Sequence, residues 1–532
     1  MRRKLVLTFI LLAGGAAAQN RPERLEWFRD QGFGLFIHWS LDSQVGSVIS
    51  HSMVGASPAY LNFFLHDLPR TFNPQKFRPA DWAALARLAG IRYVVFTSKH
   101  HSGFAMWPTA TTDFHIGNTP YLRDLTGELL SAFRAQDIAP GLYFSPDDFW
   151  WLHTNGKTLQ RNTPEVAPAN NPGLLAHDRA QVRELMTRYG NIDVVFFDGP
   201  PEGLKELAWE LQPSTVVTRG AMETPEQYVP GVPLEGAWEA NLTMGNQWQY
   251  KPEENDYKSA AELIRVLIET RAKGGNLLLN IGPKPDGEIP IEQEERLRVI
   301  ALWMAINSEA IYAVRPWVIT NEGNVWFTRS KDGSALYAMV DHRADWKYGA
   351  WREITLRSVK ATPGTQASVL GQSDAVLEYQ PNVRPKTTWE QTADGLKIRA
   401  MHAQRIYNNR RWPHPIVLKL TGVEPALTPP AVVTGDARWE GAARLMTLAG
   451  EVANLGQAAE VEVGFEYRDV TGLDLTERPG GYQRTALTRR NATGRFTTVV
   501  RDWRPGRTYE VRAVVVHPLL TTYGQERKVS TR

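Results

Sequence analysis

The sequence predicts a (β/α)8-like TIM barrel followed by a β-sandwich and a second C-terminal β module. Three observations predict it. Between Arg21 and Trp303, short β-branched and aromatic runs alternate with amphipathic helical stretches. After Ile311 clear helical patterns stop and short alternating runs take over. The segment Pro425-Ala-Leu-Thr-Pro-Pro430 then reads as a linker to a last block of strictly alternating segments.

The barrel strands are read from near-continuous apolar runs, as expected for strands buried on both faces. They are Phe33–Ile37, Tyr93–Phe96, Gly141–Phe144, Ile192–Phe197, Thr215–Thr218 and Asn276–Leu279. Six runs rather than eight predict an irregular barrel, with a doubly wound sheet as the competitor. Asp124 is placed to cap a helix whose Leu125, Leu129, Leu130 and Phe133 share one face. Ser259-Ala-Ala-Glu262 reads as a capping box, and Gly274 as the stop of that helix. The expected division is 1–18 signal peptide, 19–310 barrel, 311–424 β-sandwich and 431–532 fibronectin III or immunoglobulin-like module.

Length and composition set the bounds. A chain of 532 residues is too long for one small core, and 42% hydrophobic with 10% aromatic content excludes a mainly disordered one. A net charge of +3 offers no global field for nucleic acid. The absence of cysteine excludes disulfides, thiolate metal sites and a cysteine nucleophile. Arg2, Arg3 and Lys4 lead into an apolar stretch ending at Ala16-Ala17-Ala18, the pattern of a secretory signal cleaved near Ala18. That stretch is too short to span a bilayer. The mature protein is expected to be periplasmic or secreted.

A barrel carries its chemistry at the C-terminal ends of its strands, and polar residues gather there. The strands run into His38-Trp39, Lys99-His100-His101, Tyr143-Phe144-Ser145 with Asp147-Asp148, Asp198-Gly199, Arg219 and Asn280. One polar residue after a strand is an ordinary turn; six in succession are hard to attribute to turns. Asp198, behind Val194-Val-Phe-Phe197, has the partly desolvated setting of a nucleophile or acid/base, against the bland reading of an Asp-Gly turn. Adjacent strand residues face opposite ways, so only one of His100 and His101 is expected in the pocket unless the strand has already ended. Glu223, Glu226, Glu235 and Glu239 are candidate partners for Asp198. A glycosidase would place the pair roughly 5–5.5 Å apart for retention or 6.5–9.5 Å for inversion. Zinc on His38, His100, His101 and Asp198 lacks any His-x-His or His-Glu-x-x-His spacing, so no metal is assigned.

Seven segments in order carry a family resemblance: Phe33-Gly-Leu-Phe-Ile-His-Trp39, Lys99-His-His-Ser-Gly-Phe104, Phe196-Phe-Asp-Gly199, Glu223-Thr-Pro-Glu-Gln-Tyr228, Trp238-Glu239, Trp248-Gln-Tyr250 and Gly274-Gly-Asn-Leu-Leu-Leu-Asn-Ile-Gly-Pro283. Residues 25–420 resemble the α-L-fucosidases of glycoside hydrolase family 29, and the rest lie outside the resemblance. The resemblance implies exo-acting, retaining hydrolysis of terminal α-L-fucosides on glycans, with no cofactor and no metal. It implies Asp198 as nucleophile, and His38, His100, His101 and Arg219 as sugar contacts. Tyr143, Trp39 and His51 complete the expected substrate-binding set. Glu226 is the first choice for acid/base and Glu239 the reserve. The acid/base pKa is expected to move up when Asp198 becomes a neutral ester.

Two departures stand out. Ser50-His-Ser-Met-Val-Gly55 replaces a Glu-Trp-Tyr-type segment, and Ser40 stands where glycine is usual. The expected partner is a fucosylated glycan, with no nucleic acid and no membrane span, and the oligomeric state left open. The competing readings are a glycosidase for another deoxy or galacto-configured sugar, and a non-catalytic glycan-binding protein. For the C-terminal module a spacer role is favoured.

Overall fold

The computed structural model describes residues 19–161, 163–254, 256–375, 377, 380–404, 412–472, 481–501, 503–517 and 520–531. The segment read as a signal peptide lies outside them. Seven parallel strands form the first sheet: β1 (Phe33–Ile37), β2 (Tyr93–Lys99), β3 (Gly141–Phe144), β4 (Val194–Phe197), β5 (Val216–Val217), β6 (Glu239–Thr243) and β7 (Asn276–Ile281). Their order is β5-β4-β3-β2-β1-β7-β6, a curled sheet whose path stops at β5 and β6. Residues 223–227 run beside β6 across that gap. Glu239 N donates to Glu223 O at 3.1 Å, Asn241 N to Pro225 O at 2.9 Å and Gln227 N to Asn241 O at 2.9 Å. This short ladder stands where an eighth strand would, which is why apolar runs alone do not reveal it.

All six predicted strands are present. The seventh, β6, was not predicted as a strand because Glu-Ala-Asn-Leu-Thr carries no apolar run. Side chains alternate across each strand. Phe36, Tyr93, Tyr143, Val194, Phe196 and Leu278 fill the inside of the curled sheet. Leu35, Ile37, Leu142, Val195 and Leu279 point outward under the helices. Burying each large side chain contributes about 1.5–3 kcal/mol. The predicted caps are in place. The Asp124 side chain accepts from Gly127 N at 2.9 Å, and Ser259 with Glu262 forms a full capping box.

A five-stranded antiparallel sheet and a three-stranded one follow, spanning Val314–Glu322 to Ile416–Pro425. Beyond residue 430, Ala431–Glu440, Leu445–Asn454 and Gly494–Arg501 form a three-stranded sheet. A second sheet is built on Val461–Asp469 and Thr508–His517. These two sheets enclose a separate core around Met446, Phe465, Phe496 and Val515. Among the described residues no helix is long and apolar enough to cross a membrane.

Candidate active site

The strand ladder continues one residue past each strand end and so fixes the backbone of the polar residues that follow. His38 N donates to Ile281 O, Ser145 N to Lys99 O and Asp198 N to Phe144 O, each at 3.0 Å. Gly199 then turns the chain at φ +139°, a region that disfavours any side chain. A Cβ there would also sit 3.2 Å from Pro146 Cδ. Beneath the pocket, Phe36 packs on Phe196 and Tyr143 with ring centroids 5.0 and 5.9 Å apart, forming an aromatic floor.

Asp198 is the centre of the polar cluster. Its Oδ2 accepts from the Tyr143 hydroxyl at 2.7 Å and lies 3.2 Å from His101 Nε2. Its Oδ1 accepts from Arg219 Nη1 at 3.0 Å and lies 3.8 Å from Arg161 Nη2. Burial opposes ionisation, but His101, Arg219 and Arg161 outweigh it and hold the carboxyl well below the usual range. Arg219 Nη2 donates to Glu226 Oε2 at 2.7 Å, so one guanidinium carries both carboxylates. Glu226 responds the other way: burial raises it, Arg219 lowers it, the charge of Asp198 raises it, and the net shift is upward. The two groups are thus shifted in opposite directions.

The histidines divide by partner. His101 Nδ1 bonds Asp147 Oδ1 at 2.6 Å; burial lowers its pKa, but Asp147 and Asp198 raise it further, so it tends to the cation. Burial instead keeps His38 neutral, at about 3 despite its bond to Asn280 Oδ1 at 2.7 Å. His100 also falls well below the usual range through burial; it bonds Ser50 Oγ at 2.8 Å and stacks flat on Tyr143. His51 is lowered to about 4 by burial and packs 5.3 Å from the His101 ring. Trp248 tilts over His38 at 4.8 Å.

Seven expected residues therefore meet around one pocket: Asp198, Arg219, Glu226, Tyr143, His38, His100 and His101, with His51 beside them. Both adjacent histidines reach it because β2 ends at Lys99, before the alternation would separate them. Two expectations are corrected. Trp39 does not face the pocket; it is fully buried among Phe72, Phe77 and Trp82. Glu239 does not reach the pocket either. It is the first residue of β6, at the opposite end of the barrel, and it accepts from the buried Tyr93 hydroxyl. Glu223 and Glu235 are exposed.

Three contributors were not singled out from sequence. Asp147 holds His101 and also accepts from Arg161 Nε at 2.9 Å. Asn280, noted only as a strand end, orients His38. Arg161 arrives from a loop after the helix Phe149–Thr154 and has no sequence signal. Below them Lys99 turns away from the pocket, fully buried between Asp148 at 3.1 Å and Asp178 at 2.7 Å. His100, His101 and Asp198 offer ligand atoms within 4.8 Å of one another. The guanidiniums at 3.0 and 3.8 Å from the same carboxylate oppose a cation there.

Residues 16–309 match the family model for alpha-L-fucosidase. The chain belongs to the alpha-L-fucosidase family. It is a glycoside hydrolase. It is 33% identical over 398 residues to the alpha-L-fucosidase of Branchiostoma floridae, covering 65% of this chain and 84% of that one. It is 32% identical to the tissue alpha-L-fucosidase of Rattus norvegicus, covering 70% and 89%. Among solved structures, alpha-L-fucosidase isoenzyme 1 of Paenibacillus thiaminolyticus superposes with a TM-score of 0.60 at 26% identity, covering 76% of this chain and 99% of that one. About a quarter of this chain thus has no counterpart in that structure.

Proposed function

We propose that this chain is an exo-acting, retaining α-L-fucosidase that releases terminal α-L-fucose from glycans. The observation that carries the reading is the shared Arg219: it holds Asp198, kept ionised, and Glu226, kept toward the protonated form, on two nitrogens of one guanidinium. Family membership and the relatives' activity support the sugar. In the first step an Asp198 oxygen forms a bond to the anomeric carbon as the glycosidic C–O bond breaks, and Glu226 delivers its proton to the leaving oxygen. In the second, Glu226 takes a proton from water, whose oxygen attacks the same carbon and releases Asp198. The charge of Asp198 raises Glu226. Esterification removes that charge, so the Glu226 pKa falls between the steps, opposite to the rise expected from sequence. That fall is what converts an acid into a base.

Neutral His38, His100 and His51 suit contacts to sugar hydroxyls, since each offers a donor and an acceptor. His51, in the segment that replaces the family's Glu-Trp-Tyr-type stretch, packs beside His101 and supports its reading as a polar contact to the sugar. The signal pattern, and a plasma alpha-L-fucosidase of Rattus norvegicus among the relatives, support export. The two facing antiparallel sheets beyond residue 430 support a fibronectin III or immunoglobulin-like reading of that module.

The test is release of nitrophenol from 4-nitrophenyl α-L-fucoside, β-D-galactoside and α-L-rhamnoside by wild type and Asp198→Ala, with EDTA in parallel. Cleavage of the fucoside alone, lost in the variant and retained in EDTA, is the expected result. Galactoside or rhamnoside as the better substrate would transfer the reading to another sugar.

A further inference from the structure

We propose that the C-terminal module is a buttress for the loop that carries Glu226, and so a positioning element for acid catalysis rather than a spacer. The inference rests on the reading of Glu226 as acid/base.

The loop is held from two sides. On the barrel side the 223–227 ladder to β6 ends at Gln227, whose Oε1 accepts from Thr243 Oγ1 at 3.1 Å. Lys273 Nζ donates to Pro230 O at 2.5 Å. Gln227, immediately after Glu226, sits at φ +63°. A non-glycine residue stays in that region only where its surroundings over-determine it.

The C-terminal module supplies the other side. Gln525 Nε2 donates to Pro233 O at 2.9 Å, across 292 residues. Gly231 lies directly on the module: a Cβ there would come within 2.4 Å of Arg512 Nη1 and 2.5 Å of Glu526 Oε1. Those two side chains cannot easily retreat. Arg512 donates to Glu466 Oε2 through Nε and Nη2 at 3.0 and 2.8 Å, and lies between the rings of Tyr482 and Tyr523, 4.0 Å from each. Glu526 Oε1 accepts from the Tyr482 hydroxyl at 2.5 Å. Tyr228, two residues from Glu226, also feels the module: burial and then the charges of Glu510 and Glu526 raise its hydroxyl pKa. A rigid charged cluster in the last 70 residues thus bears on the chain two to seven residues beyond the acid.

Acid catalysis tolerates little displacement, because the proton must reach the leaving oxygen at hydrogen-bond distance. A shifted Glu226 harms poor leaving groups and spares good ones, which depart without a proton. The full-length Gly231→Val variant forces the loop off Arg512 without touching the pocket. Gln525→Ala is the milder companion should the first fail to fold. Each is compared with wild type on phenyl and 2-chloro-4-nitrophenyl α-L-fucosides, which differ in leaving-group strength. The expected result is a loss in kcat/KM of about tenfold or more for the phenyl fucoside and under about threefold for the activated one. Equal losses on both, or no loss on either, would overturn the proposal. Glu226→Gln is the control. If it shows the selective loss and the module variants do not, only the buttress fails. If it does not, the acid/base reading fails and the buttress with it.

Discussion

Glu239 provides a direct test of the assignment, because two roles for it predict opposite results. The structure places it fully buried at the start of β6, accepting from Tyr93. Burial raises its pKa from 4.5 to about 7, against the opposing hydrogen bond from Tyr93. The sign follows from proton linkage. Below pH 4.5 folded and unfolded chains both hold the proton. Between pH 4.5 and about 7 the folded chain keeps it while the unfolded chain releases it, so stability falls as pH rises. Above about 7 the loss is complete, and at about 1.4 kcal/mol per unit it amounts to about 3 kcal/mol. Glu239→Gln keeps an acceptor for Tyr93 but does not titrate. Urea unfolding followed by tryptophan fluorescence, near pH 5 and near pH 8, compares the two proteins. The variant is expected to gain about 2.5 kcal/mol on wild type between these conditions, because part of the loss has already occurred by pH 5, with kcat/KM for 4-nitrophenyl fucoside within about twofold of wild type. Parallel stability changes would refute the burial argument. A leaving-group-selective collapse of activity would make Glu239 the acid after all.

Four further predictions follow, three from the pocket and one from the ion pairs beneath it. Asp198→Ala should lower kcat by roughly 10⁴-fold or more, measured by fluoride-free initial rates on an aryl fucoside, with wild-type thermal unfolding retained. Glu226→Ala should lose roughly 10²–10⁴-fold on weak leaving groups, and azide should restore turnover on activated ones by replacing the water that needs a base. Asp147→Asn removes the charge that raises His101; His101 then loses its proton more readily, Asp198 loses a cation that lowers it, and the acidic limb of the kcat/KM profile should move to higher pH. Lys99→Met leaves Asp148 and Asp178 buried without their cation and should cost about 3–5 kcal/mol in urea unfolding.

How much of the molecule was legible varies with the kind of signal. Strands that are apolar on both faces declare themselves, so β1 to β5 and β7 were readable as strands, with ends exact for β1 and β3 and shifted by up to three residues elsewhere. The Ser259–Glu262 capping box and the Asp124 cap were readable because both are local. The ladder at 223–227 and strand β6 were not, because each is polar along its length and gains strand character only by pairing with the other. The same pairing explains Glu239: in sequence it stands among loop acids, yet its backbone registers with Asn276 at the start of a parallel strand. Trp39 was misplaced for a related reason. It directly follows His38, and only the packing of Phe72, Phe77 and Trp82 reveals that its ring turns outward.

Sequence alone therefore determined what short-range rules govern: the strand runs, the caps, the glycine after Asp198, and the polar residue types at the strand ends. Ordered motifs determined the family. Tertiary structure decided which polar residues meet. Arg161 and Asp147 lie 14 residues apart, Arg219 and Asp198 21, and Gln525 and Pro233 292. Charge states were decided there as well. A carboxyl group takes its pKa from burial and from the cations beside it, and neither is written in its neighbours along the chain. Asp198 is lowered because His101, Arg219 and Arg161 outweigh its burial, and Glu226 is raised because its own burial and the charge of Asp198 outweigh the same Arg219.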